Sequence, residues 1–142
     1  MALASVAQRT TNVTIANASC QLYTTAAVKC RVLETSWVGA TATATSLGFG
    51  RPAALAVTPA TLVLLQRDDS ADPACVTNLA LTWGTSPTAP TVYHRRWNGA
   101  ATIGVGIIFT FPRGITIPVS GAVVWFNITA SVVGDVNFAC DE

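Results

Sequence analysis

The sequence predicts an all-β fold, an antiparallel β-sandwich with a jelly roll as the expected winding. Three observations lead there. No segment carries apolar residues at i, i+3, i+4 and i+7, the stripe an amphipathic helix needs. β-Branched residues come instead in short runs that alternate with period two. Gly, Pro, Asn and Asp break these runs roughly every 8–12 residues, the rhythm of sandwiches and barrels. A count of about eight to ten short strands follows, and a closed barrel is the alternative.

Taken in order, residues 1–11 read as an extended N-terminal arm and residues 12–142 as a single β-sandwich domain. The first strand spans Asn12 to Ser19, with Val13 and Ile15 opposite Thr14. From Ala27 to Val38, Val28, Cys30 and Val32 alternate with Lys29, Arg31 and Leu33. Thr41 to Phe49 alternates Thr and Ala before the breaker Gly48-Phe49-Gly50-Arg51-Pro52. Small residues of that kind suit a strand packed closely against another layer. Pro52 to Pro59 is an Ala-rich bridge, a loop or a turn of helix, and Thr61 to Gln66 a short strand. Arg67 to Pro73 is a loop, with Asp before Pro as turn chemistry. Cys75 to Trp83 sets Cys75, Thr77, Leu79 and Leu81 against Val76, Asn78, Ala80 and Thr82. A second loop, Gly84 to Pro90, leads to the strand Thr91 to Trp97. Asn98-Gly99 is a strong hairpin-turn dipeptide. It predicts a return along Ala101 to Phe111, and Pro112-Arg113-Gly114 predicts another turn. Ile115 to Pro118, Ala122 to Ser131 and Val136 to Cys140 complete the set.

Composition narrows the function classes. The chain has 142 residues, 51% of them hydrophobic and 11% charged. Disorder is excluded, because a disordered chain is poor in apolar residues and rich in charge. Eight basic and seven acidic residues give a net charge of +1. That balance lacks the basic excess of a protein that binds nucleic acid by neutralising phosphates. The surface must be wetted by uncharged polar groups, chiefly Thr. Such a surface resists self-association poorly and suits a fixed assembly. Gly114 to Gly134 carries no charge, but Pro118, Ser120, Asn127, Thr129 and Ser131 interrupt it and it alternates like strands, so no membrane span is expected. No basic residues precede the short apolar N-terminal stretch, which is therefore not read as a secretory signal.

Candidate chemistry is sparse. Cys20, Cys30, Cys75 and Cys140 form no CxxC pair, and His94 is the single histidine, so zinc-site spacing is missing. The cysteines read as buried thiols or as one or two disulfides, within or between subunits, with three complete pairings possible. A bridge at Cys140 would hold a chain end that otherwise frays. Asp68, Asp69 and Asp72 form the one acidic cluster, a weak calcium candidate whose spacing misses the EF-hand pattern. His94 lies between Tyr93 and the cations Arg95 and Arg96, which disfavour its protonation. No nucleophile motif accompanies it, and no catalytic residue is expected. Gly104-Val105-Gly106 begins like a dinucleotide fingerprint, but Phe109 stands where the third glycine belongs. No cofactor is expected. Arg95, Arg96 and Trp97 are the best candidate interaction residues, since Arg and Trp are enriched at binding hot spots. The alternative is an outward Arg pair beside a core Trp. Sequons at Asn12, Asn17 and Asn127 are those a Thr-rich chain produces by chance.

The last 50 or so residues resemble small virion proteins of tailed bacteriophages, above all capsid decoration (cement) proteins and related β-sandwich head or neck proteins. The likeness rests on Tyr93-His94-Arg95-Arg96-Trp97-Asn98-Gly99, on Phe111-Pro112-Arg113-Gly114-Ile115-Thr116-Ile117-Pro118 and on Val124-Trp125-Phe126-Asn127. It is one of style rather than of a strict motif. It implies a structural protein on the capsid surface of a virion. Its partners would be the major capsid protein and copies of itself, often as a homotrimer. It implies no catalytic residue. No direct contact with nucleic acid and no membrane are expected. A neck, tail or fibre component with a receptor-binding role is a second expectation, and a carbohydrate-binding β-sandwich a third. The arm, Met1 to Thr11, would reach a neighbouring subunit by strand addition.

Overall fold

A computed structural model describes residues 2–11, 17–25 and 27–142. Among them are eleven strands and no helix: β1 (Leu3–Arg9), β2 (Ala18–Tyr23), β3 (Cys30–Gly39), β4 (Thr45–Gly50), β5 (Val57–Leu64), β6 (Gln66–Arg67), β7 (Asn78–Thr85), β8 (Arg95–Gly99), β9 (Gly106–Ile117), β10 (Ala122–Asn127) and β11 (Gly134–Asp141). They form two antiparallel sheets that pack face to face as a β-sandwich. One has the order β6-β1-β11-β3-β9, the other β5-β7-β2-β10-β4-β8. The first strand expected from sequence, Asn12 to Ser19, lies mostly outside the described residues, and β2 begins at its end.

The period-two alternation decides which side chains face inward. In β3, Cys30 and Val32 are buried while Arg31 and Leu33 are half-buried. In the stretch leading into β7, Cys75, Thr77, Leu79 and Leu81 face the interior as their spacing predicts. The main core gathers Trp37, Leu47, Phe49, Trp125, Phe138 and their neighbours from both sheets. Trp125 stands at its centre, with ring centroids 6.1 Å from Trp37, 5.3 Å from Phe49 and 5.9 Å from Phe109. Its indole N–H donates to Thr35 Oγ1 at 2.9 Å, so the one polar atom of the side chain is satisfied.

Three local expectations are corrected. Residues 3–9 of the expected arm are β1, an inner strand paired with β11 from Leu3↔Asp141 to Arg9↔Asp135 and with β6 at Ala4 and Ser5. The reason is its own alternation: Ala4 and Val6 are buried in the core, Leu3, Ser5 and Ala7 exposed. Asn98-Gly99 is not a hairpin turn but the end of β8, paired with Ser46 and Thr45. Gly99 is needed there because a Cβ would stand 2.5 Å from the Trp97 ring. Pro112-Arg113-Gly114 does not reverse the chain. It is an irregularity within β9, where the register with β3 shifts and Gly114 adopts φ +66°. β9 is an edge strand, which is where a sheet tolerates proline.

Candidate functional site

Five strands from the first sheet and six from the second leave two long edges. β5 and β6 share one edge, joined through the single buried residue Leu65. β8 and β9 share the other, where the Arg95 guanidinium lies 5.3 Å from the centroid of the Phe111 ring. The candidate interaction residues Arg95, Arg96 and Trp97 belong to this second edge.

Alternation along β8 divides the three. Arg95 pairs with Phe49 and Trp97 with Leu47, so both are on the inward side of the strand. Trp97 is half-buried against the main core, and Arg95 stays exposed at its rim. Arg96 pairs with Gly48 and turns to the outer face, 5.9 Å from the Tyr93 ring centroid. Tyr93 in turn lies flat on Gly48, where a Cβ would stand 2.5 Å from its ring, and edge-on to Phe126. Arg95 and Arg113 flank a shallow cleft of about 360 Å³, completed by Phe111, Pro112, Gly114 and Ile115. Arg51 adds a further cation: its guanidinium donates to the Thr116 carbonyl at 2.8 Å. His94 is exposed beside these groups. Partial burial first, then Arg51 and Arg95, hold its pKa below the usual 6.5. The assembled site is an apolar strip rimmed by guanidinium groups, the kind of surface that accepts carboxylates.

Sequence reasoning found Arg95, Arg96 and Trp97 but missed Arg51, Arg113 and Tyr93. Arg51 and Arg113 each stand alone among breakers, in Gly50-Arg51-Pro52 and Pro112-Arg113-Gly114. Nothing local says that β4, β8 and β9 bring them together.

The other candidates lie elsewhere. All four cysteines are buried free thiols within this chain. Burial pushes the Cys20 thiol up to about 12. A hydrogen bond with the Cys30 thiol, then burial, raises that of Cys140, and burial followed by the Glu142 charge raises that of Cys75. Thiols so held are poor nucleophiles. Asp68, Asp69 and Asp72 lie in the loop after β6. Asp69 Oδ1 accepts from the Ala71 N–H at 2.8 Å, and the Asp72 carbonyl accepts from Arg67. Among the described residues no three His, Cys, Asp or Glu side chains converge as metal ligands. The sequon residue Asn127 is fully buried, its Oδ1 accepting from Ser19 Oγ at 3.0 Å. Comparison with family models, with curated proteins and with solved structures finds no match to this chain.

Proposed function

We propose that the protein is a non-enzymatic virion component that binds the outside of a phage capsid and stabilises its lattice, acting with copies of itself as a homotrimer. The observation that carries this reading is the strand order. With β5, β6 and β7 set aside as an insertion between β4 and β8, the sheets read β1-β11-β3-β9 and β2-β10-β4-β8. We read that order as support for a jelly roll wound from two Greek keys, an architecture that viral capsid and lectin domains share. The tryptophans favour the capsid side of that pair. Glycans commonly stack on an open aromatic plate, and Trp37 and Trp125 are buried and Trp83 and Trp97 half-buried. The neutral, sparsely charged surface fits a protein held in an assembly.

A protein that binds only the intact lattice stabilises it by mass action. Capsids carrying it should therefore release their DNA at a higher temperature than capsids lacking it. Equal release temperatures would defeat the reading. A glycan-array signal lost in Trp97→Ala would move the protein to the lectin side.

A further inference from the structure

Charge is distributed unevenly between the two long edges. Among the described residues there are two ion pairs, Arg9–Asp135 and Arg31–Asp141. Arg51, Arg95, Arg96 and Arg113 all lie at the β8–β9 edge, where no carboxylate among the described residues is in ion-pair reach. Asp68, Asp69 and Asp72 lie at the β5–β6 edge beside Arg67, whose guanidinium donates to the Asp72 carbonyl, so carboxylates outnumber cations there; Glu142 borders the same cleft as Asp72. One row across the first sheet connects the two. The Asp68 N–H donates to the Leu3 carbonyl; Leu3 pairs with Asp141, Asp141 with Arg31 and Arg31 with Thr116; the Thr116 carbonyl accepts from Arg51. Negative charge thus stands at one end of the row, a neutral pair in its middle and positive charge at the other end. Four strand spacings, about 19 Å, separate the ends.

We propose that copies of this chain associate edge to edge, the Asp68–Asp72 loop of one copy seated on the Arg51, Arg95 and Arg113 edge of the next. The proposal deepens the self-association in the function proposed above by naming its two surfaces. The contact is heterologous, so it closes into a ring if the rotation allows and otherwise runs on as a chain. It is made by side chains rather than by strand addition. Pro59 in β5 and Pro112 in β9 interrupt both outer edges, and Thr58 and Thr61 in β5 adopt positive φ. Such edges are blunted against backbone pairing. Exposed Leu62 and Leu64 on one edge and Ile108 on the other add apolar surface to the charge match. Single exposed ion pairs contribute little, so association depends on several acting together and is sensitive to salt.

Sedimentation velocity of the full chain at about 10 mM and about 500 mM ionic strength tests this, since screening shortens from about 30 Å to a few Å over that range. Association is expected at low salt and lost at high salt. Arg95→Glu/Arg113→Glu and Asp68→Lys/Asp72→Lys should each stay monomeric at low salt while retaining the circular dichroism of the wild type. Mixed one to one, they should associate again, because each now presents the charge that the other lacks. A monomeric wild type at low salt overturns the proposal, and so do variants that associate as the wild type does. Head binding is read separately. A chain that binds capsids but ignores the charge reversals defeats only the edge pairing. One that pairs by its edges but leaves capsids unbound defeats only the virion reading.

Discussion

The two faces of the six-stranded sheet are both buried near β10, by different means. Inward, Val123 and Trp125 meet the opposing sheet in the main core. Outward, Ala18, Val124 and Phe126 form a second small cluster, covered by Trp83, Ala89 and Tyr93. The inner face is closed by architecture, since any sandwich must bury it. The outer face is closed by the segment between β7 and β8, whose Tyr93 reaches Gly48 only because that residue has no side chain. One burial is general to the fold and the other particular to this sequence. Every residue of β10 is buried in consequence, although a sandwich strand ordinarily shows one face to water.

The comparison can be broken most severely from inside. Trp125→Ala should cost about 3–5 kcal/mol, since truncating a fully buried Trp combines lost burial with a cavity. Urea denaturation would show it as a lower midpoint. A cost below about 1 kcal/mol would mean that the core collapses to fill the space. On the outer face, Gly48→Ala should cost about 1–3 kcal/mol by overpacking against Tyr93. Adding Tyr93→Ala should recover part of that loss, and a double-mutant cycle without coupling would deny that this contact forms the lid. Thr35→Val is of similar size. It orphans the buried Trp125 N–H and should cost about 1–3 kcal/mol with little change in packing volume.

Titration supplies the smallest effects. The folded His94 takes up its proton at lower pH than an unfolded histidine, so its contribution to stability is present above about 6.5 and is lost as pH falls through the folded value. His94→Gln should remove that part of the acid dependence, and proton NMR should find the imidazole titrating below 6.5. Asp135 follows the same sign for another reason. Its hydrogen bond from Arg9 lowers its pKa, so that contribution fades only at more acidic pH. Because the Arg9–Asp135 pair is exposed, added salt should weaken it further.

The sequence made the β-sandwich legible wherever alternation was clean, as at Cys30–Leu33 and Cys75–Leu79, because period two reports which face is buried. Local turn chemistry was a poorer guide. Asn98-Gly99 has the composition of a hairpin, but its glycine answers to the Trp97 ring. Pro112-Arg113-Gly114 has the composition of a turn, but an edge strand absorbs it as an irregularity. Residues 3–9 read as an arm because nothing local reveals that β11, more than a hundred residues later, will pair with them. The candidate site was half legible for the same reason. Arg95, Arg96 and Trp97 adjoin in sequence, whereas Arg51 and Arg113 reach them only through the pairing of β4 with β8 and the approach of β8 to β9.

The four buried thiols also make the molecule a clock of its own opening. A thiol reagent can reach Cys20 only when the centre of the six-stranded sheet parts, and Cys30 or Cys140 only when β3 and β11 do. Cys75, in the segment before β7, needs a smaller excursion. Labelling rates under native conditions would therefore rank the opening free energies of three regions without any introduced probe.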